Sequence, residues 1–182
     1  LIFYDTTTAE FELDEADDDG LRQLGYSKDE RWRPQVVIAL AVTREGLPVR
    51  SWVFPGNTAD VTTIETVRAD LRGWRLGRTL FVGDAGMNSA ANRDILMRGG
   101  GRYVLACGTS STNEVVQDVL GRAGRFKQVA DNLYVKEVVV GEGELRRRYL
   151  VCRNPAQAER ERAHREQVVA ELERELASHP TN

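Results

Sequence analysis

Apolar, aromatic and β-branched residues fill positions 1–8, and that run predicts a strand. Positions 12–34 are polar and charged, broken by Gly20, Gly25 and Pro34, and predict a long loop. Loops of that length are usually functional or partly disordered. Positions 36–43 predict a buried strand. Glu45-Gly46 makes a turn and positions 47–54 return, so the pair reads as a hairpin. Pro55-Gly56-Asn57 then breaks the chain. Thr58 or Asp60 is expected to cap a helix over 61–72, where Ile64, Val67, Leu71 and Trp74 recur at helical spacing. Positions 79–82 form a short unbroken apolar run, as in a central parallel strand. A helix over 89–98 follows, capped by Asn88 or Ser89 and stopped by three glycines at 99–101. A strand over 102–106 comes next.

A hairpin followed by alternating strands and helices implies an α/β fold built on a mixed sheet. The pattern then changes, so we divide the chain at 1–106 and 107–182. The second part predicts a helix over 112–120 and two strands, 133–140 and 145–151, hairpinned around Gly141-Glu142-Gly143. Asn154-Pro155 opens a long helix running to 177, with Asn as cap and Pro in its first turn. Val168, Leu172 and Leu176 fall on one face of that helix and are expected to pack.

Composition narrows the classes. A chain of 182 residues suits one domain with an inserted subdomain. With 41% hydrophobic and 29% charged residues, a soluble globular protein is expected. No apolar run approaches the roughly 20 residues of a membrane span, and no signal peptide is evident, which favours the cytoplasm. Cys107 and Cys152 lack CxxC spacing and are expected to be buried thiols. A net charge of −3 argues against a surface coated with phosphate contacts. Basic residues nevertheless cluster locally, at Arg22, Lys28, Arg31 and Arg33 and again at Arg146, Arg147, Arg148 and Arg153. The chain opens on Leu1 without a Met and reads as part of a longer protein.

Two aspartates carry the chemistry. Asp5 sits inside the first apolar run, and Asp84 directly follows Leu80-Phe81-Val82-Gly83. A carboxylate in such a run is costly to bury unless it is paired or binds a cation. Ligands of open α/β sheets sit at the carboxyl ends of strands. If the first and fourth strands are neighbours, both carboxylates face one site. Hard oxygen ligands of this kind suit Mg²⁺ or Mn²⁺. Taken alone, Asp84 reads equally as a turn former or a helix cap.

Five ordered stretches add to this: Tyr4-Asp5-Thr6-Thr7-Thr8, Gly25-Tyr26-Ser27-Lys28-Asp29, Pro34-Gln35-Val36, Pro55-Gly56-Asn57-Thr58-Ala59-Asp60 and Val82-Gly83-Asp84-Ala85-Gly86-Met87. In order and spacing they resemble the DDE transposases of bacterial insertion sequences, over residues 1 to about 177. The resemblance implies a ribonuclease H-like core, a mixed sheet flanked by helices, over 1–106. It implies a β-hairpin and long-helix insertion subdomain over 107–182. Asp5 and Asp84 would be the first two catalytic acids, binding two Mg²⁺ or Mn²⁺ ions. The partner would be double-stranded DNA, both transposon ends and target, held by a homodimer acting at the bacterial nucleoid. The third acid of that family is a Glu on a helix after the insertion, and its pattern is absent here. The glutamates of the last helix, mixed with arginines, read as a solvated face, so this chain alone is expected neither to cleave nor to join DNA.

Other residues have plainer readings. Asn57 and Asp60 shape a turn and a cap, although the resemblance places them near the active site. Lys28, Arg31, Arg146 and Arg148 are candidate phosphate contacts; strand alternation puts Arg147 opposite its neighbours. Trp32, Trp52 and Trp74 read as packing residues, and His164 and His179 as poor ligands. The rival functions are another ribonuclease H-like nuclease and a catalytically inactive transposase remnant.

Overall fold

The computed structural model describes residues 1–12, 15–18, 20–26, 31–76, 78–108, 114–143 and 146–178. The chain divides into two compact units, Leu1–Gly108 and Thr109–Asn182.

The first unit is built on a six-stranded sheet. Strand β1 (Ile2–Glu10) lies along β3 (Trp32–Thr43) in antiparallel register. The far edge of β3 is shared by β2 (Gln23–Tyr26), paired with Trp32 to Gln35, and β4 (Pro48–Pro55), paired with Val36 to Val42. On its other side β1 runs parallel to β5 (Leu80–Gly83), and β5 runs parallel to β6 (Arg102–Leu105). The sheet is therefore mixed: antiparallel where β3 meets β1, β2 and β4, and parallel across β1, β5 and β6.

The β3–β4 hairpin forms where expected, with Gly46 at φ +82° in its turn. The predicted loop over 12–34 is a correction. It holds β2 and the start of β3, because backbone pairing between the two stretches satisfies groups that their polar sequences left unassigned. Pro34 lies inside β3, where the strand exchanges β2 for β4, and its carbonyl accepts from Phe11 N–H at 2.9 Å.

Helices α1 (Asp60–Gly73) and α2 (Ala90–Met97) pack on one face of the sheet. Ile64, Val67, Leu71 and Leu96 meet Ile2, Tyr4, Ala39, Ala41 and Phe81 there. The alanines of β3 stand beside Tyr4, so small and large side chains interlock. Helix α2 begins at Ser89, whose hydroxyl accepts from Asn92 N–H at 3.1 Å. Its end runs through Gly99 and Gly100, both at positive φ. The α1 cap is a correction: Ala59 occupies it with no side-chain hydrogen bond, so neither Thr58 nor Asp60 does that work.

The second unit holds α3 (Glu114–Gly121), a three-stranded sheet of β7 (Lys127–Ala130), β8 (Leu133–Val140) and β9 (Arg147–Arg153), and α4 (Pro155–Ser178). Strand β7 was not expected; its four residues, all exposed, carry no alternation to read. Lys136 is buried, donating from Nζ to Arg122 O at 2.8 Å with the Phe126 ring beside it. Asn154 caps α4, accepting from Gln157 N–H at 3.0 Å. The packing expected of α4 is a correction. It has no buried residue, and Val168, Leu172 and Leu176 are exposed.

Candidate active site

The β1–β5 ladder pairs Ile2 with Phe81 and Phe3 with Val82, an offset of 79 positions. Asp84 follows Asp5 by the same 79 positions. Carried two steps past the last pair, the same offset sets Asp84, just beyond the carboxyl end of β5, opposite Asp5, which lies within β1. They border a shallow groove of about 420 Å³ lined also by Phe3, Tyr4, Leu40, Val42, Val82 and Gly83. Both carboxylates are exposed, which corrects the idea of a buried charge awaiting a partner.

Alternation along β1 sends Asp5 and Thr6 to opposite faces. Thr6 nevertheless touches both faces chemically. Its N–H donates to Asp5 Oδ1 at 2.9 Å, and its hydroxyl donates to Asp60 Oδ1 at 2.7 Å. Freed from capping, Asp60 thus ties the first turn of α1 to β1. A second tie runs beneath it. Tyr4 OH donates to Thr63 Oγ1 at 2.7 Å, and Thr63 in turn donates to Asp60 O at 2.7 Å. Burial pushes the Tyr4 phenol up to about 12, against a lowering by the Thr63 bond and with a further push from Asp60 and Asp5.

The turn after β5 closes the arrangement. A Cβ placed on Gly86 would lie 3.4 Å from Asp84 Oδ1 and 3.5 Å from Asp60 Oδ2, so both carboxylates converge over that glycine. Met87 is fully buried behind it. Asn92 Nδ2 donates to Met87 O at 2.9 Å and to Val61 O at 2.8 Å, fixing the turn against α1.

A second knot explains three of the five ordered stretches. Gln35 is buried and donates from Nε2 to Gly56 O at 2.8 Å. A Cβ on Gly25 would overlap Gln35 and Gly56 O, and one on Gly56 would overlap the Gln35 carbonyl. Gly25, Gln35 and Gly56 therefore meet side by side, where β2 and β4 both join β3. The stretch from Pro55 to Asp60 serves both knots, Gly56 in one and Asp60 in the other.

The remaining site candidates are scattered. Asn57 is exposed in the turn before α1, and Lys28 lies outside the described residues. Arg31 and Arg146 are exposed, and Arg148 pairs with Glu137 at 3.1 Å. Cys107 and Cys152 are exposed, correcting the expected burial. Trp52 is part-buried and donates from Nε1 to Asp70 at 2.9 Å, whereas Trp32 and Trp74 are exposed, the latter under Arg50. Sequence reasoning gave no role to Thr6 and Gly86; the signal available was their place beside the two aspartates in the first and last of the ordered stretches.

The family model for the transposase DDE domain matches residues 2–175. The chain belongs to the DDE transposase family. Transposases of this family generally depend on divalent metal ions. Among the described residues, no group of three or more His, Cys, Asp or Glu side chains is gathered closely enough to hold a metal ion. Asp5 and Asp84 do fit such an ion in part, as two exposed oxygen donors bordering one groove. Among solved structures, the chain is similar to a piggyBac transposase in a synaptic complex with hairpin DNA, at 12% identity and a TM-score of 0.45. The likeness covers 84% of this chain and 32% of that one, so the chain spans about a third of that protein's length. No curated protein matches the chain.

Proposed function

We propose that this chain carries part of the catalytic core of a DNA transposase, which cuts DNA at insertion-sequence ends and joins the cut end to target DNA. The observation that carries this reading is that Asp5, within β1, and Asp84, just past the end of the neighbouring parallel strand β5, border one groove in a chain of the DDE family. The two carboxylates would hold Mg²⁺ or Mn²⁺, as two ions in the intact enzyme. When bound, the ions supply Lewis acidity and activate the attacking oxygen at phosphorus. The residues contribute placement: Asp5 is steadied by the Thr6 N–H, and Asp84 by a turn anchored through Met87 and Asn92. The open groove beside them leaves room for a phosphodiester.

Unit Thr109–Asn182 would be the insertion subdomain, and the protein would act as a homodimer on double-stranded DNA in the bacterial cytoplasm. Arg31 and Arg146, both exposed, are the better phosphate contacts; Arg148 must first leave Glu137. The test is cleavage and joining of labelled transposon-end DNA by the full-length protein with Mg²⁺. Asp5→Ala and Asp84→Ala should each abolish both steps without lowering the unfolding midpoint. Cutting without joining would instead identify a ribonuclease H-like nuclease.

A further inference from the structure

Asp60 opens α1 without capping it, and its two oxygens point to two different places. Oδ1 accepts the Thr6 hydroxyl, while Oδ2 stands over Gly86 beside Asp84. Thr6 also holds Asp5 through its backbone N–H. One side chain on the helix layer is thus bonded to the threonine that holds Asp5 and lies over the same glycine as Asp84. The N-cap is Ala59, which has no side chain to cap with; Asp60 stands one position on, in the first turn, and its carboxylate accepts from β1.

We infer that Asp60 is a positioning residue for the Asp5–Asp84 cation site, acting through the Thr6 hydroxyl. This rests on the reading of those two acids as metal ligands. Thr6 has two jobs, one for its hydroxyl and one for its backbone N–H, and losing the Asp60 acceptor frees the side chain and loosens the peptide that orients Asp5. Groups that orient a ligand from behind commonly change metal affinity by roughly 10–100-fold when removed. The role belongs to hydrogen bonding rather than to charge, so an amide should replace the carboxylate.

The experiment is Mn²⁺ binding to the full-length protein, followed by calorimetry and by the paramagnetic resonance of free Mn²⁺, with DNA cleavage as a parallel readout. Asp60→Ala should weaken Mn²⁺ binding about 10-fold or more, and Asp60→Asn should stay within about 3-fold of the parent. Thr6→Val should reproduce Asp60→Ala, and Thr6→Ser should restore binding. If Asp60→Ala does not fold, the two Thr6 variants decide the question alone. Asp60→Asn falling as far as Asp60→Ala, or Thr6→Val binding normally, overturns the inference. Asp84→Ala separates the two levels. If it leaves Mn²⁺ binding intact, the metal-site reading itself has failed. If it abolishes binding while every Asp60 and Thr6 variant binds normally, only the positioning role is lost.

Discussion

The two faces of the main sheet differ sharply in cover. Ile2, Tyr4, Ala39, Ala41 and Phe81 lie beneath α1 and α2 and are at most 3% exposed. Phe3, Leu40, Val53 and Val104, on β1, β3, β4 and β6, lie on the opposite face at 40–50% exposure. The same β-branched and aromatic residue types occur on both faces. Cover, not composition, therefore separates a core from a surface here. The acids stand where the two faces meet: Asp5 belongs to the open face, Asp60 comes from the helix layer, and Asp84 sits at the strand end between them. A rigid helix-backed layer thus supports a site that opens to the other side.

The strongest way to break this contrast uses one residue type on neighbouring strands. Phe81→Ala should cost about 3–5 kcal/mol in urea unfolding, because it empties a fully buried position. Phe3→Ala should cost less than about 2 kcal/mol, since that ring already meets water. Equal losses would mean that the open face is covered in solution.

Next in size is the pH dependence of Tyr4. Its folded pKa lies at about 12, above the unfolded value of 10, so the folded state keeps the proton longer. Stability from this group is intact below pH 10 and declines as pH rises to 12, by about 2–3 kcal/mol. Alkaline unfolding curves of Tyr4→Phe should lack that decline.

Smaller still, Ser89→Ala should cost about 1 kcal/mol by removing the α2 cap that helps hold the Asp84 turn. The smallest effect belongs outside the core: a double-mutant cycle on Arg148 and Glu137, both more than half exposed, should give less than about 1 kcal/mol of coupling.

Most of the first unit was legible in the sequence, because runs such as Val36 to Thr43 and the spacing of Ile64, Val67 and Leu71 carry their own periodicity. Strands β2 and β7 were not, since four residues leave too little pattern and their pairing partners are supplied by the fold. Asp5 and Asp84 could be picked out by position, and their register could be guessed only by assuming which strands are neighbours. The Thr6–Asp60 bond spans 54 positions, and nothing local marks it; the local signal at Asp60, a residue suited to capping, pointed elsewhere. For α4 the periodicity of Val168, Leu172 and Leu176 was read correctly, but a stripe says only that a face is apolar, not that something covers it.

The register between β1 and β5 also sets where this chain tolerates gain or loss of residues. The long connection from β1 to β5, through three strands and a helix, can change length in its turns without moving either aspartate relative to its strand. One residue inserted between Ile2 and Asp5 is a different matter. It would carry the acid a step beyond Asp84 and turn it towards the helices, leaving a neighbour in its place on the open face. Length variation in this family should therefore collect in the turns, with the short stretches running into the two aspartates held to fixed lengths.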